Sequence, residues 1–190
     1  RQRQMCIRDR LLRTELCFLE SYKMPDEKSQ LELYSKILNN LPEKTHTLRL
    51  IEFGSDKKVS YLPLQNEENP ALGQRALRLG FSYYDTLLKP QIRAFLKLSK
   101  DFNIKILCSM ITNSNDLDKI ITAIHNEQKE LNQQGEIIEK LPPIGIMVDV
   151  AEKIDKFKEK EVPFLVIVEY YIDFTWYFAN LLFPIFYRLH

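Results

Sequence analysis

Cysteine is scarce in this sequence, and neither sign of charge is in excess. Only three of the 190 residues are cysteine, at widely separated positions, and no two of them form a CxxC pair. This pattern excludes a disulfide framework and a cysteine-based zinc site, and it is typical of the reducing cytosol. With 27 basic and 26 acidic residues the net charge is +1, so no global field attracts nucleic acid.

Signals for secretion and for membrane insertion are also weak. The first ten residues, RQRQMCIRDR, lack the apolar core of a signal peptide. Residues 162–187 are long enough for a membrane span, but Glu169 and Asp173 lie near the middle of that stretch, where charge is costly. A membrane helix is therefore the disfavoured alternative, and a strand followed by an aromatic-rich helix is expected instead.

The sequence does contain a regular alternation of helix and strand patterns. Apolar residues make up 45% of the chain, which is enough for one domain with a core. Helices are predicted at residues 25–40, 83–100 and 115–134, and strands near residue 13, at 45–53, 104–111 and 144–150, and from residue 164. Because the strands are mostly apolar on both faces, we expect an α/β fold with a parallel sheet.

Arginines are concentrated around the second predicted strand and the segment after it. Arg49 ends an alternating apolar run, and Arg75 and Arg78 follow Gly73 at a spacing that places both on one face of a predicted helix. The planar guanidinium group stays charged at any working pH and matches the oxygens of phosphate and carboxylate. This segment therefore indicates a site for a small anion.

Five sequence boxes carry a resemblance to a known family. They are LLRTE at residues 11–15, RLIEFGSDK at 49–57, EENPALGQRALR at 67–78, KILCSMI at 105–111 and GIMVDV at 145–150. In type, order and spacing they resemble the phosphoenolpyruvate-binding domain of the phosphoenolpyruvate-protein phosphotransferases, enzyme I of the bacterial sugar phosphotransferase system. The pyruvate phosphate dikinases share the first box but lack the GxDK and EENPxLG pairing, so they are the second choice.

The resemblance implies a (β/α)8 barrel of the TIM type. Such a barrel needs about 250 residues, so a chain of 190 residues predicts a partial barrel that lacks its last βα units. We expect this phosphoenolpyruvate-binding barrel domain over residues 11–190. Residues 1–10 match nothing in the family and are interpreted as a non-native tail, with a genuine basic arm as the alternative.

The resemblance also implies the roles of the arginines. Arg13, Arg49 and Arg75 fall on the family positions that grip the phosphoryl and carboxylate groups of phosphoenolpyruvate. Because Arg13 and Arg49 lie in apolar strands, we expect neither to be a solvated surface side chain. Glu52 and Asp56 are expected to orient the arginines, and no catalytic side chain is assigned within the chain.

A magnesium site is implied in the same way. Asp149 stands where the family has a glutamate, which is a metal-capable but shorter ligand. Asp173 falls on the second family ligand position, although Ile172 replaces the preceding asparagine and Phe183 replaces a later arginine. The resemblance therefore implies Mg2+ as cofactor, held by Asp149 and Asp173.

Two functions remain open. The favoured one is the phosphoenolpyruvate-binding part of a protein-histidine phosphotransferase in the cytoplasm, inactive by itself because the accepting histidine belongs to a separate domain of the same enzyme. The implied partners are that phosphohistidine domain, the phosphocarrier protein and a second copy in a homodimer. The alternative is a degenerate, non-catalytic paralogue that binds an anion as a regulatory module.

Overall fold

The sheet is parallel and its strands follow one another in chain order. The structure is a computed structural model. It describes residues 11–19, 21–40, 45–54, 59–64, 67–69, 73–148 and 164–167. For Val148 and residues 164–167 it describes the backbone only. Within these residues the sheet has five strands in the order β1-β2-β3-β4-β5, and every neighbouring pair is parallel. The prediction of an α/β fold with a parallel sheet is confirmed.

The predicted helices and strands are present, with shorter strands, and the structure adds a short helix after the first strand that was not predicted. The strands are β1 Leu11–Arg13, β2 His46–Arg49, β3 Ile104–Cys108, β4 Ile144–Val148 and β5 Phe164–Ile167. The α-helices are α1 Glu15–Leu19, α2 Glu27–Leu38, α3 Ala76–Ser82, α4 Lys89–Leu98 and α5 Ser114–Gln133, and a π-helical segment occupies Tyr84–Leu88.

Two strands end earlier than their apolar patterns suggest. After β2 the backbone N–H of Ile51 donates to the side-chain carbonyl of Gln91 at 2.8 Å instead of continuing the ladder. After β3 the backbone of Met110 turns into the left-handed region with φ 56°. Apolar composition continues beyond both points, but the backbone partners have changed, so the regular strand ends.

Helices α2 and α5 begin at short polar side chains. Asp26 caps α2 by accepting from the N–H of Ser29 at 2.8 Å, and Asn113 caps α5 by accepting from the N–H of Asp116 at 2.9 Å. Gly135 follows α5 with φ 88°, a conformation that glycine adopts without steric cost. These local signals explain why both helix starts agree with the sequence pattern.

The helix predicted at residues 83–100 consists of two parts. Tyr84–Leu88 is π-helical, and the N–H of Lys89 donates to the carbonyl of Tyr84 before α4 continues. Pro90 lies in the first turn of α4 and has no N–H to donate to Thr86, so a regular α-helix through this point would lack one hydrogen bond. The wider π turn is the local adjustment that precedes the proline.

The core lies between the sheet and a row of helices. α4 packs against α2 on one side and α5 on the other. The rings of Tyr34 and Phe95, both fully buried, meet between α2 and α4 with centroids 5.6 Å apart. No helix in the described part of the chain is both long and apolar enough to cross a bilayer, and most of residues 162–187, including Asp173, lie outside that part.

Candidate functional site

Arg13 and Arg49 end adjacent strands at the same level of the sheet. They are Cα partners in the parallel pairing of β1 with β2, and each is the last residue of its strand. Side chains of such partners project toward the same face, because the pleats of neighbouring strands are in phase. Two arginines that are 36 positions apart in the sequence are thus neighbours at the carboxyl edge of the sheet.

The two arginines differ in exposure, and this corrects one expectation. Arg49 is only 7% exposed, as predicted, whereas Arg13 is exposed. The prediction that Arg13 would not be solvated was wrong, because β1 has only three residues and its last position lies at the open edge of the sheet. An exposed guanidinium group carries no burial penalty and is accessible to a ligand.

Two carboxylates contact the guanidinium group of Arg49. Its NH2 nitrogen pairs with Oε1 of Glu15, and its NH1 nitrogen pairs with Oε2 of Glu52. Glu52 was predicted as a neighbour of the arginines, whereas Asp56 lies outside the described residues. Within the part of the chain that the structure describes, Nε of Arg49 and Oε2 of Glu15 are buried without a hydrogen-bond partner.

Arg75 reaches this edge of the sheet through a close backbone approach. A Cβ atom added to Gly54 would lie 2.7 Å from Cβ of Arg75 and 3.0 Å from the carbonyl oxygen of Gln74. The N–H of Ala76 donates to the carbonyl of Phe53 at 3.0 Å, which joins the two segments. Glycine at position 54 is therefore required by the space that Arg75 occupies.

Arg75 and Arg78 do not share a helix as predicted. Arg75 is the N-cap residue with extended backbone, φ −144° and ψ 165°, and α3 begins only at Ala76. The i, i+3 spacing was read correctly, but the helix starts one residue too late to include Arg75. The side chain of Arg75 therefore projects from the loop before the helix, next to Gly54. It does not lie on the helix face that carries Arg78.

Backbone strain accompanies this edge of the sheet. Ala76 has φ 48° and Met110 has φ 56°, and these are the positive-φ residues other than glycine among the described residues. Ala76 follows Arg75 directly, and Met110 lies just beyond the end of β3. Such conformations cost about 1–3 kcal/mol each and are concentrated at ligand sites, where the surrounding structure holds them.

The loop before Arg75 is held by an acid. Oε1 of Glu67 accepts from the N–H of Gln74 at 2.8 Å, and a side chain at Gly73 would collide with the same carboxylate. Ser82 donates to Oε1 of Gln74 at 3.1 Å from the far end of α3. Glu67 thus fixes the backbone immediately ahead of Arg75.

Cys108 ends β3 at the same edge of the sheet. It is fully buried, and burial raises the pKa of its thiol to about 12. A thiol with so high a pKa is protonated at neutral pH, and the thiolate is the reactive form of cysteine. Cys108 is therefore a small buried apolar side chain and not a nucleophile.

The predicted metal ligands Asp149 and Asp173 both lie outside the described residues. β4 ends at Val148, so Asp149 is the next residue in the chain after a strand of the sheet. The described residues contain no group of three or more histidine, cysteine, aspartate or glutamate side chains suited to a metal ion.

Three buried polar residues of the site were not assigned from the sequence. Thr14, Glu15 and Gln91 are at most 3% exposed, and each contacts the strand ends that carry the arginines. The available signal for Thr14 and Glu15 was their position directly after Arg13 in the first box. Gln91 gave no local signal, because its contacts lie 40 and 77 positions away in the sequence.

Comparison with known protein families identifies the class. The family model described as "PEP-utilising enzyme, PEP-binding domain" matches residues 10–167. The chain belongs to this family, whose abbreviation PEP stands for phosphoenolpyruvate. The resemblance drawn from the five sequence boxes is confirmed.

Curated relatives agree with this assignment. A phosphoenolpyruvate-protein phosphotransferase of Staphylococcus aureus is 34% identical over 157 residues, which is 81% of this chain and 27% of that protein. The protein of the same name from Latilactobacillus sakei is 32% identical over 140 residues, which is 74% of this chain and 24% of that protein. The one from Enterococcus faecalis is 32% identical over 158 residues, which is 81% of this chain and 27% of that protein. The chain spans about a quarter of the length of these relatives, which are enzymes by name.

Proposed function

We propose that this chain is the phosphoenolpyruvate-binding part of a phosphoenolpyruvate-dependent protein-histidine phosphotransferase. In this proposal Arg13, Arg49 and Arg75 hold the phosphoryl and carboxylate groups of the substrate. The observation that carries the proposal is the register of β1 and β2, which sets Arg13 beside Arg49. The close approach of Gly54 to Arg75 adds the third arginine-bearing segment to the end of β2.

The acids around Arg49 set a condition on the proposed anion site. Glu15 and Glu52 both contact the guanidinium group of Arg49, so two carboxylates lie close to the position proposed for the ligand. A phosphorylated acid can bind there only if Arg13, Arg75 or a metal ion supplies additional positive charge. The unpartnered Nε of Arg49 is a donor that such a ligand could use.

Mg2+ is the metal proposed for this site. Asp149 and Asp173 would hold it, and two carboxylates completed by water and substrate oxygens are a donor set that suits Mg2+. When bound, the ion would neutralise negative charge on the phosphoryl group. The arginines would orient the substrate so that its phosphorus faces the partner histidine and the bridging oxygen, which leaves with the enolate, lies on the opposite side of the phosphorus.

The fold proposed for residues 11–190 is a partial (β/α)8 barrel. Parallel strands that follow one another in chain order are the arrangement of a barrel wall. A doubly wound sheet would instead reverse its strand order at one point. The row formed by α2, α4 and α5 supports the barrel.

The proposed partners are those that the family resemblance implies. A phosphohistidine domain of the same enzyme would accept the phosphoryl group and pass it to the phosphocarrier protein, and the intact enzyme would act as a homodimer in the cytoplasm. The residues of this chain would bind phosphoenolpyruvate without transferring its phosphoryl group by themselves.

A calorimetric titration tests this function. The chain is titrated with phosphoenolpyruvate in the presence and absence of Mg2+, together with Arg49→Lys and Arg93→Lys. Arg49→Lys keeps a positive charge between Glu15 and Glu52 but loses the planar fork, so we expect about 10- to 100-fold weaker binding.

Arg93→Lys is the matched control. Arg93 is an equally buried arginine between acidic side chains on the helical face, with 11% of its side chain exposed against 8% for Arg49. Its replacement should leave affinity unchanged within about twofold. Absence of binding by the wild type under both conditions would refute the proposal. Binding that Mg2+ does not strengthen would favour the degenerate anion-binding paralogue.

A further inference from the structure

A buried chain of hydrogen bonds connects α4 to both arginine-bearing strands. The amide nitrogen of Gln91 donates to Oγ1 of Thr14 at 2.9 Å, and this hydroxyl donates to the carbonyl of Arg49 at 2.6 Å. The amide oxygen of Gln91 accepts from the N–H of Ile51 at 2.8 Å. Thr14 and Gln91 are both fully buried.

These contacts occur at the level of the sheet where the arginines leave it. Thr14 follows Arg13 directly, and its hydroxyl bonds the carbonyl of Arg49 on the neighbouring strand. The bond crosses from the end of β1 to the end of β2, so it fixes the distance between the backbones that carry the two guanidinium groups. Gln91 replaces the missing strand partner of Ile51 and attaches the end of β2 to α4.

A third side chain, Tyr34, encloses this network. Burial raises the pKa of its hydroxyl, and hydrogen bonding with Gln91 and Thr14 opposes that rise. The same hydroxyl donates to the amide oxygen of Gln30 at 3.1 Å, and the amide nitrogen of Gln30 donates to the carbonyl of Pro25. These two bonds attach Tyr34 to the segment at the start of α2.

We propose that Thr14 and Gln91 are positioning residues of the anion site, which hold the ends of β1 and β2 so that Arg13 and Arg49 present their guanidinium groups together. This proposal rests on the proposed binding of phosphoenolpyruvate. Neither residue touches the ligand. Their effect is transmitted through the backbone of Arg49 and Ile51.

The geometry of an anion clamp makes this effect measurable. Binding constellations need their groups within about 0.5 Å of the productive arrangement, and a displacement of about 1 Å can cost about 100-fold in a positioned reaction. Without the hydroxyl of Thr14, the carbonyl of Arg49 is buried and unpaired, so the strand end must move to find a partner. The guanidinium group of Arg49 moves with it.

The test uses the full chain and isosteric substitutions. Thr14→Val removes the hydroxyl, Thr14→Ser keeps it, and Gln91→Met removes both amide contacts. Gln128→Met is the matched control, because Gln128 donates to the carbonyl of Ile138 at 2.9 Å on α5, away from the strand ends that carry the arginines. The affinity for phosphoenolpyruvate with Mg2+ is measured by calorimetry, and the exchange rate of the Ile51 amide hydrogen by NMR.

We expect Thr14→Val and Gln91→Met to weaken phosphoenolpyruvate binding at least about tenfold, Thr14→Ser to restore most of it, and Gln128→Met to have less than about a twofold effect. Gln91→Met should also accelerate exchange of the Ile51 amide. A double mutant with Arg49→Lys should show less than additive loss for Thr14→Val, because both changes act through one side chain.

The outcomes separate the two proposals. If the wild type does not bind phosphoenolpyruvate, the proposed function fails, whatever the exchange rate at Ile51. If the wild type binds and the folded Thr14 and Gln91 variants bind equally well, the positioning role is overturned. If Thr14→Val does not fold, Gln91→Met and Thr14→Ser decide the question, because Gln91→Met leaves the bond from Thr14 to Arg49 available.

Discussion

The guanidinium groups of Arg49 and Arg93 both lie among acidic side chains with little exposure, but their surroundings differ. Arg93 uses all three nitrogens: Nε pairs with Glu27 at 2.7 Å, NH1 with Glu127 at 3.4 Å, and NH2 donates to Gln134 at 2.6 Å. Arg49 pairs through NH1 and NH2 alone, and its Nε has no partner among the described residues. One guanidinium group is saturated, and the other keeps an unused donor.

The two charged regions show how the charge pairing of a structural network differs from that of a candidate binding site. On the helical face, cations of α4 and of the turn after it meet acids of α2, of α5 and of the turn after α5. The cations are Lys89, Arg93, Lys97 and Lys100, and the acids are Glu27, Glu127, Glu130 and Glu136. At the sheet edge, Nε of Arg49 has no partner among the described residues, and strained backbone lies nearby. Saturated charge stabilises a fold, whereas unsaturated charge and strain are typical of a ligand site.

The largest effect is expected from removing the buried acid of the helical network. Glu127 is 1% exposed and accepts from the hydroxyl of Tyr84 at 2.7 Å, with Lys89 and Arg93 each 3.4 Å away. Glu127→Ala should lower the free energy of unfolding by about 3 kcal/mol, since a buried charge network loses its central partner. Urea denaturation measures this loss.

Glu127→Gln is the control for this prediction. Glutamine keeps the acceptor for Tyr84 and the side-chain volume, so the loss should be smaller than with alanine. Phosphoenolpyruvate affinity should be unchanged in both variants, measured well below the unfolding temperature. A loss of affinity comparable to that of Arg49→Lys would show that the two charged regions are not separate.

An intermediate effect is expected from two glycines that are required for different reasons. Gly54→Ala would place a methyl group against Arg75 and Gln74 and should cost about 1–3 kcal/mol of stability together with affinity. Gly135→Ala meets no described atom within 4 Å but adopts φ 88°, so it should cost about 1 kcal/mol of stability and no affinity. Thermal unfolding and calorimetric titration of both variants check the pair, and equal affinity in the two would contradict the role assigned to Gly54.

The smallest effect is a pH dependence of the helical network. Burial acts to raise the pKa of Glu27, but hydrogen bonds from Lys97 and Arg93 outweigh it, and the net pKa lies below the ordinary value of 4.5. The stabilisation from this carboxylate is therefore present above about pH 4.5 and is lost as the pH falls through the lowered pKa of the folded protein.

Glu27→Gln should remove part of this acid sensitivity. The wild type and the variant are compared by urea denaturation between pH 7 and pH 3, where the wild type should lose more stability than the variant. Parallel pH profiles of the two proteins would contradict the assigned role of Glu27.

Local patterns were sufficient to predict most of the fold. The helical periodicity of residues 25–40 and 115–134 predicted α2 and α5, and apolar runs predicted the strands around Leu48 and Ile106. Strand ends were harder to predict, because β2 ends where Gln91 provides the partner of Ile51. A contact between residues 40 positions apart produces no hydrophobic periodicity in either segment, so the sequence pattern does not predict it.

The sequence predicted which arginines form the candidate site, but it did not predict their backbone conformation or their exposure to solvent. The spacing of Arg75 and Arg78 suggested one helix face, and the apolar neighbours of Arg13 suggested burial. The structure shows Arg75 in an extended N-cap and Arg13 exposed at the end of a three-residue strand. The errors arose because local composition does not report where a strand ends or at which residue a helix begins.

The sequence by itself determined the family, the alternation of helices with strands, and the residue types available for binding an anion. Tertiary structure alone decided that Arg13 lies beside Arg49, that Gly54 admits Arg75, and that Thr14 and Gln91 join the strand ends. The physical reason is that helices and strands arise from interactions between residues close in the chain. A binding site is formed by backbone register and buried hydrogen bonds between residues far apart in it.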